Sequence, residues 1–247
     1  MGYKTTDALM RHLRDSGIAI QGGKQKRQLI NTGYYHGYKG YRFFGDAHSR
    51  LPFTSYAEVY ATIQYDSDLK ALLYGKMMFI ETAVKNIALE SILVNAKSES
   101  IQDMYDKVVS GYNNAPTTAT TEQRRKMQQN KLNLQNTIQS SLTYDVRDDI
   151  SKRLGLNVSC DTDRQLIYKY IYTLKDLRNA IAHNAVVFDT RFRNIDPNRA
   201  MKQCLKLEVG LPYVNFKTIG DYIILMCYYM KLLKVSKTEI KAFKNNG

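Results

Sequence analysis

Leu69, Leu73, Met77, Ile80, Val84 and Ile87 recur at spacings of three and four, a period that draws one apolar stripe along a helix. The stripe predicts a helix of about 25 residues running on from Tyr65. Just upstream, Ser55-Tyr-Ala-Glu58 has the capping-box pattern, in which Ser55 bonds the backbone N–H near Glu58, so a helix or helix pair is expected to begin there. A second stripe, Leu166, Tyr170, Leu174, Leu177 and Ile181, predicts a helix from about Thr162 to His183. A third, Ile219, Ile223, Met226, Met230 and Leu233, predicts one near the C-terminus. With only 4 prolines in 247 residues and only short period-two runs, the expected fold class is all-α.

The clearest breaker is NNAPTTATT, residues 113–121, and the Gln/Asn-rich segment after it carries apolar positions at Leu134, Ile138 and Leu142. This reads as a loop followed by an amphipathic helix, a polar helical insertion over about residues 113–155. Val186 to Tyr213 contains Asp196-Pro197 and Gly210-Leu-Pro212 and is expected to be mostly loop. The organisation that follows is a basic, aromatic helical module over residues 1–52 and a helical domain over 53–247 that carries the insertion.

The net charge of +13 predicts attraction to a polyanion. It is uneven: residues 1–50 carry +6, 51–121 carry −3, 122–155 carry +3 and 156–247 carry +7. If the two ends meet in space they make one basic face, and otherwise the charge is solvated scatter. Membrane is the weaker partner, because the longest apolar run, Tyr222 to Met230, falls far short of the roughly 20 residues a spanning helix needs. The polar N-terminus has no signal-peptide stretch, so the expected location is cytoplasmic. Cys160, Cys204 and Cys227 are widely spaced with no Cys-x-x-Cys pair, and read as small apolar side chains in a reducing compartment rather than as disulfides or zinc ligands. No metal or cofactor is expected.

The segment that carries chemistry is LRNAIAHN, residues 177–184. On a helix Asn179 and His183 share a face, whereas Arg178 stands about 140° from His183 and must reach over. An imidazole can take the proton of an RNA 2′-OH or give one to the leaving 5′-oxygen. A guanidinium beside it can clamp the phosphate and stabilise its developing charge. Asn179 can orient the His or the phosphate through its amide. The product would be a 2′,3′-cyclic phosphate end, DNA would be inert, and one imidazole per chain asks for two copies facing each other. By spacing alone, a helical Arg and His are also ordinary surface residues.

The segment resembles the R-x4-6-H signature of HEPN-superfamily ribonucleases, in which a polar residue follows the Arg. Three further blocks are similar to the Abi-like abortive-infection family (AbiD/AbiF-like): KTTDALMRHLRDSGIAI, LINTGYYHGYKGYRFF (residues 29–44) and FTSYAEVYATIQYDSDLKALLYGKMMFIETAVKNIAL (residues 53–89). The resemblance implies a HEPN-type helical bundle and a metal-independent endoribonuclease toxin of an abortive-infection or toxin–antitoxin system. Arg178, Asn179 and His183 would be catalytic in a homodimer, and a structured non-coding RNA would restrain it. The chain departs from the family pattern in having no Trp, in Asn184 where a second His is common, and in Lys70 and Lys85 where Arg is common. A catalytically silent RNA-binding scaffold and a protein-interaction subunit of a defence system remain the alternatives.

Glu81 can support the site by holding Arg178 or Asn179, or can pair with Lys85 at i+4. The block Tyr34, Tyr35, Tyr38, Tyr41, Phe43 and Phe44, interleaved with His36, Lys39 and Arg42, suits either an RNA stacking platform or packing of the N-terminal module. Tyr35, Lys39 and Arg42, with Lys24, Lys26, Arg27, Arg124, Arg125 and Lys126, are candidate RNA contacts.

Overall fold

In the computed structural model, residues 5–44, 48–95, 118–156, 164–193 and 199–246 are described, with a few single positions between them. Among these the chain is all-α, and the only β-pairing is two isolated bridges, Ala19 with Ser55 and Phe43 with Arg50. The order is α1 (Thr6–Asp15), α2 (Gly22–Thr32), a π-helical turn (Gly33–Lys39), α3 (Gly40–Arg42), α4 (Tyr56–Asn95), α5 (Thr121–Ser141), α6 (Tyr144–Leu154), α7 (Leu166–Ala182), α8 (Arg199–Val209), α9 (Ile219–Leu232) and α10 (Lys237–Asn246).

Helix α4 organises the molecule. Its start is the expected capping box: the Ser55 hydroxyl accepts from the Glu58 N–H at 3.3 Å, and the Glu58 carboxylate accepts from the Ser55 N–H at 3.0 Å. It runs for 40 residues, well beyond the length the stripe predicts. The reason is that α4 serves two cores from two faces. Leu69, Leu73, Met77, Ile80 and Val84 enter the main core, whereas Tyr56 and Val59 enter an N-terminal core with Leu13, Ile18, Leu29, Tyr38 and Tyr41. The two faces overlap: Val59 stands in line with Met77, 18 residues or five turns further on, whereas Tyr56 lies about 100° round the axis from Leu73 and widens the apolar face at the start of the helix.

The main core is centred on α9, where Tyr222, Ile223, Leu225, Met226, Tyr228, Tyr229, Met230 and Leu232 are all buried. A helix apolar on nearly every side must be covered all round, here by α4, α7, α8 and α10. No helix among the described residues is long and apolar enough to cross a membrane. Two expectations need correction. The stretch expected to be mostly loop contains α8, whose Met201, Cys204 and Leu205 are buried at i, i+3 and i+4; the Pro-flanked ends hid that short repeat. The insertion also does not reach residue 155 as a polar appendage. Val146, Ile150 and Leu154 of α6 pack into the main core against α4, and only α5 is largely exposed. Cys204 is buried and Cys227 partly so, with burial pushing its thiol up, while Cys160 lies outside the described residues.

The two ends of the chain do meet in part. Val186 and Phe188, just after the motif helix, pack into the N-terminal core, and the Tyr41 and Phe188 rings stack 6.4 Å apart. Arg191 donates to the carbonyls of Gly40 at 2.6 Å and Phe43 at 2.8 Å, and its other nitrogens are held by Asp189.

Candidate functional site

Helix α7 brings its last turns against the middle of α4, because Leu174 and Leu177 are buried in the main core beside Met77, Ile80 and Val84. Between the two helices lies a groove of about 430 Å³ with an apolar floor of Met77, Ile80, Val84 and Leu174. Its polar border is Glu81 and Lys85 from α4 with Lys175, Arg178 and Asn179 from α7.

Both roles open to Glu81 are realised together. Its carboxylate accepts from Arg178 Nε at 3.0 Å and Nη2 at 3.4 Å, and also pairs with Lys85. Partial burial raises the Glu81 carboxyl, but the hydrogen bonds and charges of Lys85 and Arg178 outweigh it and hold the group below the usual range. The third guanidinium nitrogen, Nη1, donates to Asn179 Oδ1 at 3.1 Å. Three of the five guanidinium N–H donors are thereby engaged, which leaves one on each terminal nitrogen.

His183 is the C-cap of α7 and is exposed. The helix ends in a Schellman motif: Asn184 N–H donates to the Ile181 carbonyl at 3.1 Å and Ala185 N–H to the Ala180 carbonyl at 2.8 Å. Asn184 takes the left-handed position, with φ of 52°, that glycine fills more often. Its side chain is also engaged, for Oδ1 accepts from Lys70 Nζ at 2.8 Å.

Lys70 is therefore no phosphate ligand. It is buried, 2.9 Å from the wholly buried Asp66 carboxylate. Asp66 accepts Tyr41 O–H on Oδ2 at 2.7 Å, and on Oδ1 the backbone N–H groups of Val187 at 2.9 Å and Phe188 at 2.8 Å. Burial, followed by that hydrogen bond and the charge of Asp66, pushes the Tyr41 hydroxyl far up, so it stays a donor. Sequence reasoning missed this cluster. Its one readable signal was Asn184 directly after the last turn of an apolar stripe, which is where helices place a C-terminal cap.

The candidate RNA contacts divide. Arg42 is buried, donates to Tyr38 and to the Ser16 carbonyl, and is packed on the Tyr38 and Phe43 rings, so it is a core residue and not a surface contact. Lys26 is partly exposed and pairs with Asp7 at 2.7 Å. Lys24, Arg27, Tyr35 and Lys39 are exposed, and the Lys39 ammonium lies 5.4 Å from the centroids of both Tyr34 and Tyr35. Tyr38 and Tyr41 are core residues, so most of the aromatic block packs the N-terminal module. Arg124, Arg125 and Lys126 are exposed on the first turns of α5, where Arg125 approaches Glu122 at 3.7 Å.

Among the described residues no group of three or more His, Cys, Asp or Glu side chains could hold a metal ion. Comparison of the chain with known protein families, with curated proteins and with solved structures finds no match.

Proposed function

We propose that this chain is a metal-independent endoribonuclease of the HEPN type, a toxin-like component of an abortive-infection or toxin–antitoxin system, acting as a homodimer and restrained by a structured RNA. The observation that carries the reading is the end of α7: a guanidinium held by Glu81 and Asn179 with two donors to spare, followed one turn later by an exposed imidazole. In this reading Arg178 grips the scissile phosphate and stabilises its extra charge in the transition state. His183 of one copy takes the 2′-OH proton as the 2′-oxygen attacks phosphorus. The imidazole of a second copy protonates the 5′-oxygen as the P–O5′ bond breaks, leaving a 2′,3′-cyclic phosphate. Asn179 fixes the guanidinium.

The test is end-labelled RNA with purified protein in EDTA. Cleavage to cyclic-phosphate ends, no cleavage of DNA, and loss of activity by at least about 100-fold in His183→Ala are expected. Arg178→Lys, which loses the planar fork, is expected to lose most activity too. Intact RNA bound tightly and in a salt-sensitive way would instead identify a scaffold.

A further inference from the structure

The buried polar cluster beneath the end of α7 does something that neither core requires. A lysine and an aspartate removed from water are costly unless fully hydrogen-bonded, and apolar residues of similar volume often serve a core as well. Here every partner of the pair other than Tyr41 lies in one short segment. Asp66 Oδ1 holds two consecutive backbone N–H groups, those of Val187 and Phe188, and Lys70 holds the Asn184 side chain. The segment gripped at both points begins one residue after His183.

We propose that Lys70 and Asn184, backed by Asp66, are positioning residues for His183: they fix the turn on which the imidazole is mounted, so that an exposed ring sits on an immobile base. The proposal rests on the nuclease reading for its consequence in catalysis, and on geometry alone for the fixing of the turn. His183 is held on its N-terminal side by its own N–H to the Asn179 carbonyl, 2.9 Å. On its C-terminal side the left-handed Asn184 sets the direction in which the chain leaves the helix. Asn184 could hold that conformation as a glycine would, but a glycine has no Oδ1 and would break the bond to Lys70. Asn184→Gly therefore separates the side-chain link from the backbone cap, and it does so at an exposed position that leaves the core intact.

The experiment compares wild type, Asn184→Gly, Lys70→Met and Lys70→Arg in two measurements. One is the NMR signals of the four imidazoles, His12, His36, His48 and His183. The other is steady-state RNA cleavage. In Asn184→Gly the His183 ring signals are expected to shift or broaden while the other three stay in place, and kcat to fall about tenfold with KM within about twofold, the signature of a misplaced group rather than weaker binding. Lys70→Met is expected to reproduce this where it folds, and Lys70→Arg to restore part of it. Turnover in Asn184→Gly within about twofold of wild type overturns the proposal, as do unmoved His183 signals. A wild-type protein that cleaves no RNA, together with displaced His183 signals in Asn184→Gly, overturns the nuclease reading and leaves the positioning standing.

Discussion

The Glu81–Arg178 contact joins two residues 97 apart in sequence, and its strength depends on a carboxylate that stays ionised. Glu81 titrates below its ordinary value of 4.5 because Lys85 and Arg178 outweigh the effect of partial burial. Since the folded value is depressed, the stabilisation is fully present above that ordinary value and disappears as pH falls through the folded one. Glu81→Gln is therefore expected to lower thermal stability at pH 7 by about 0.5–1 kcal/mol, screened because both side chains touch solvent, and to match wild type in strong acid. Melting curves at the two extremes check this. The i+4 relation of Glu81 to Lys85 can be read from the sequence, as can the face shared by Asn179 and His183. The partnership with Arg178 is a matter of which two helices meet, and no local spacing encodes it. Asp66 continues the spacing of the stripe, three residues before Leu69, which puts it on the buried face, but an i, i+4 ion pair on a helix is ordinarily a surface feature and the spacing does not name the distant backbone donors that hold it.

At the level of elements, long apolar stripes translated directly into helices, and α4, α7 and α9 stand close to where their periodicity places them. The misreading came where an element is too short to show more than one repeat, as in α8, while the start of α4 is marked by its capping box rather than by the stripe. The π-helical turn was not legible at all. It is paired with a close approach: a Cβ at Gly37 would come within 2.8 Å of the Thr32 carbonyl oxygen and 2.9 Å of Thr32 Cβ. Backbone cannot yield as a flexible side-chain tip can. Gly37→Ala is expected to destabilise the protein by about 1–3 kcal/mol, read as a lower denaturant midpoint with an unchanged slope. Tyr34 and Tyr38, four residues apart, stack 5.5 Å apart on this turn.

For the whole molecule, the segment that leaves α7 joins α4 in tying the two cores together. Arg191 carries much of this, because its guanidinium serves two carbonyls of the N-terminal module and a carboxylate of its own segment. Arg191→Met leaves those carbonyls without a donor and is expected to cost about 1–3 kcal/mol. Hydrogen exchange is expected to quicken first in residues 33–44, ahead of α9; uniform quickening across both cores would show that Arg191 is not the tie. The charge excess at the two ends of the sequence left open whether they meet, because charge counts carry no contact information, and it is the packing of Val186 and Phe188 beside Tyr41 that makes the meeting specific. The Asp66 carboxylate reaches across 121 and 122 residues of chain to its backbone donors. During synthesis that carboxylate emerges with its partners Tyr41 and Lys70 and its two backbone donors follow late, so an unfinished chain ending before Val187 leaves Asp66 Oδ1 without either of them. The turn bearing His183 is thus set only once the chain has passed Phe188, long after the helix that grips it has been made.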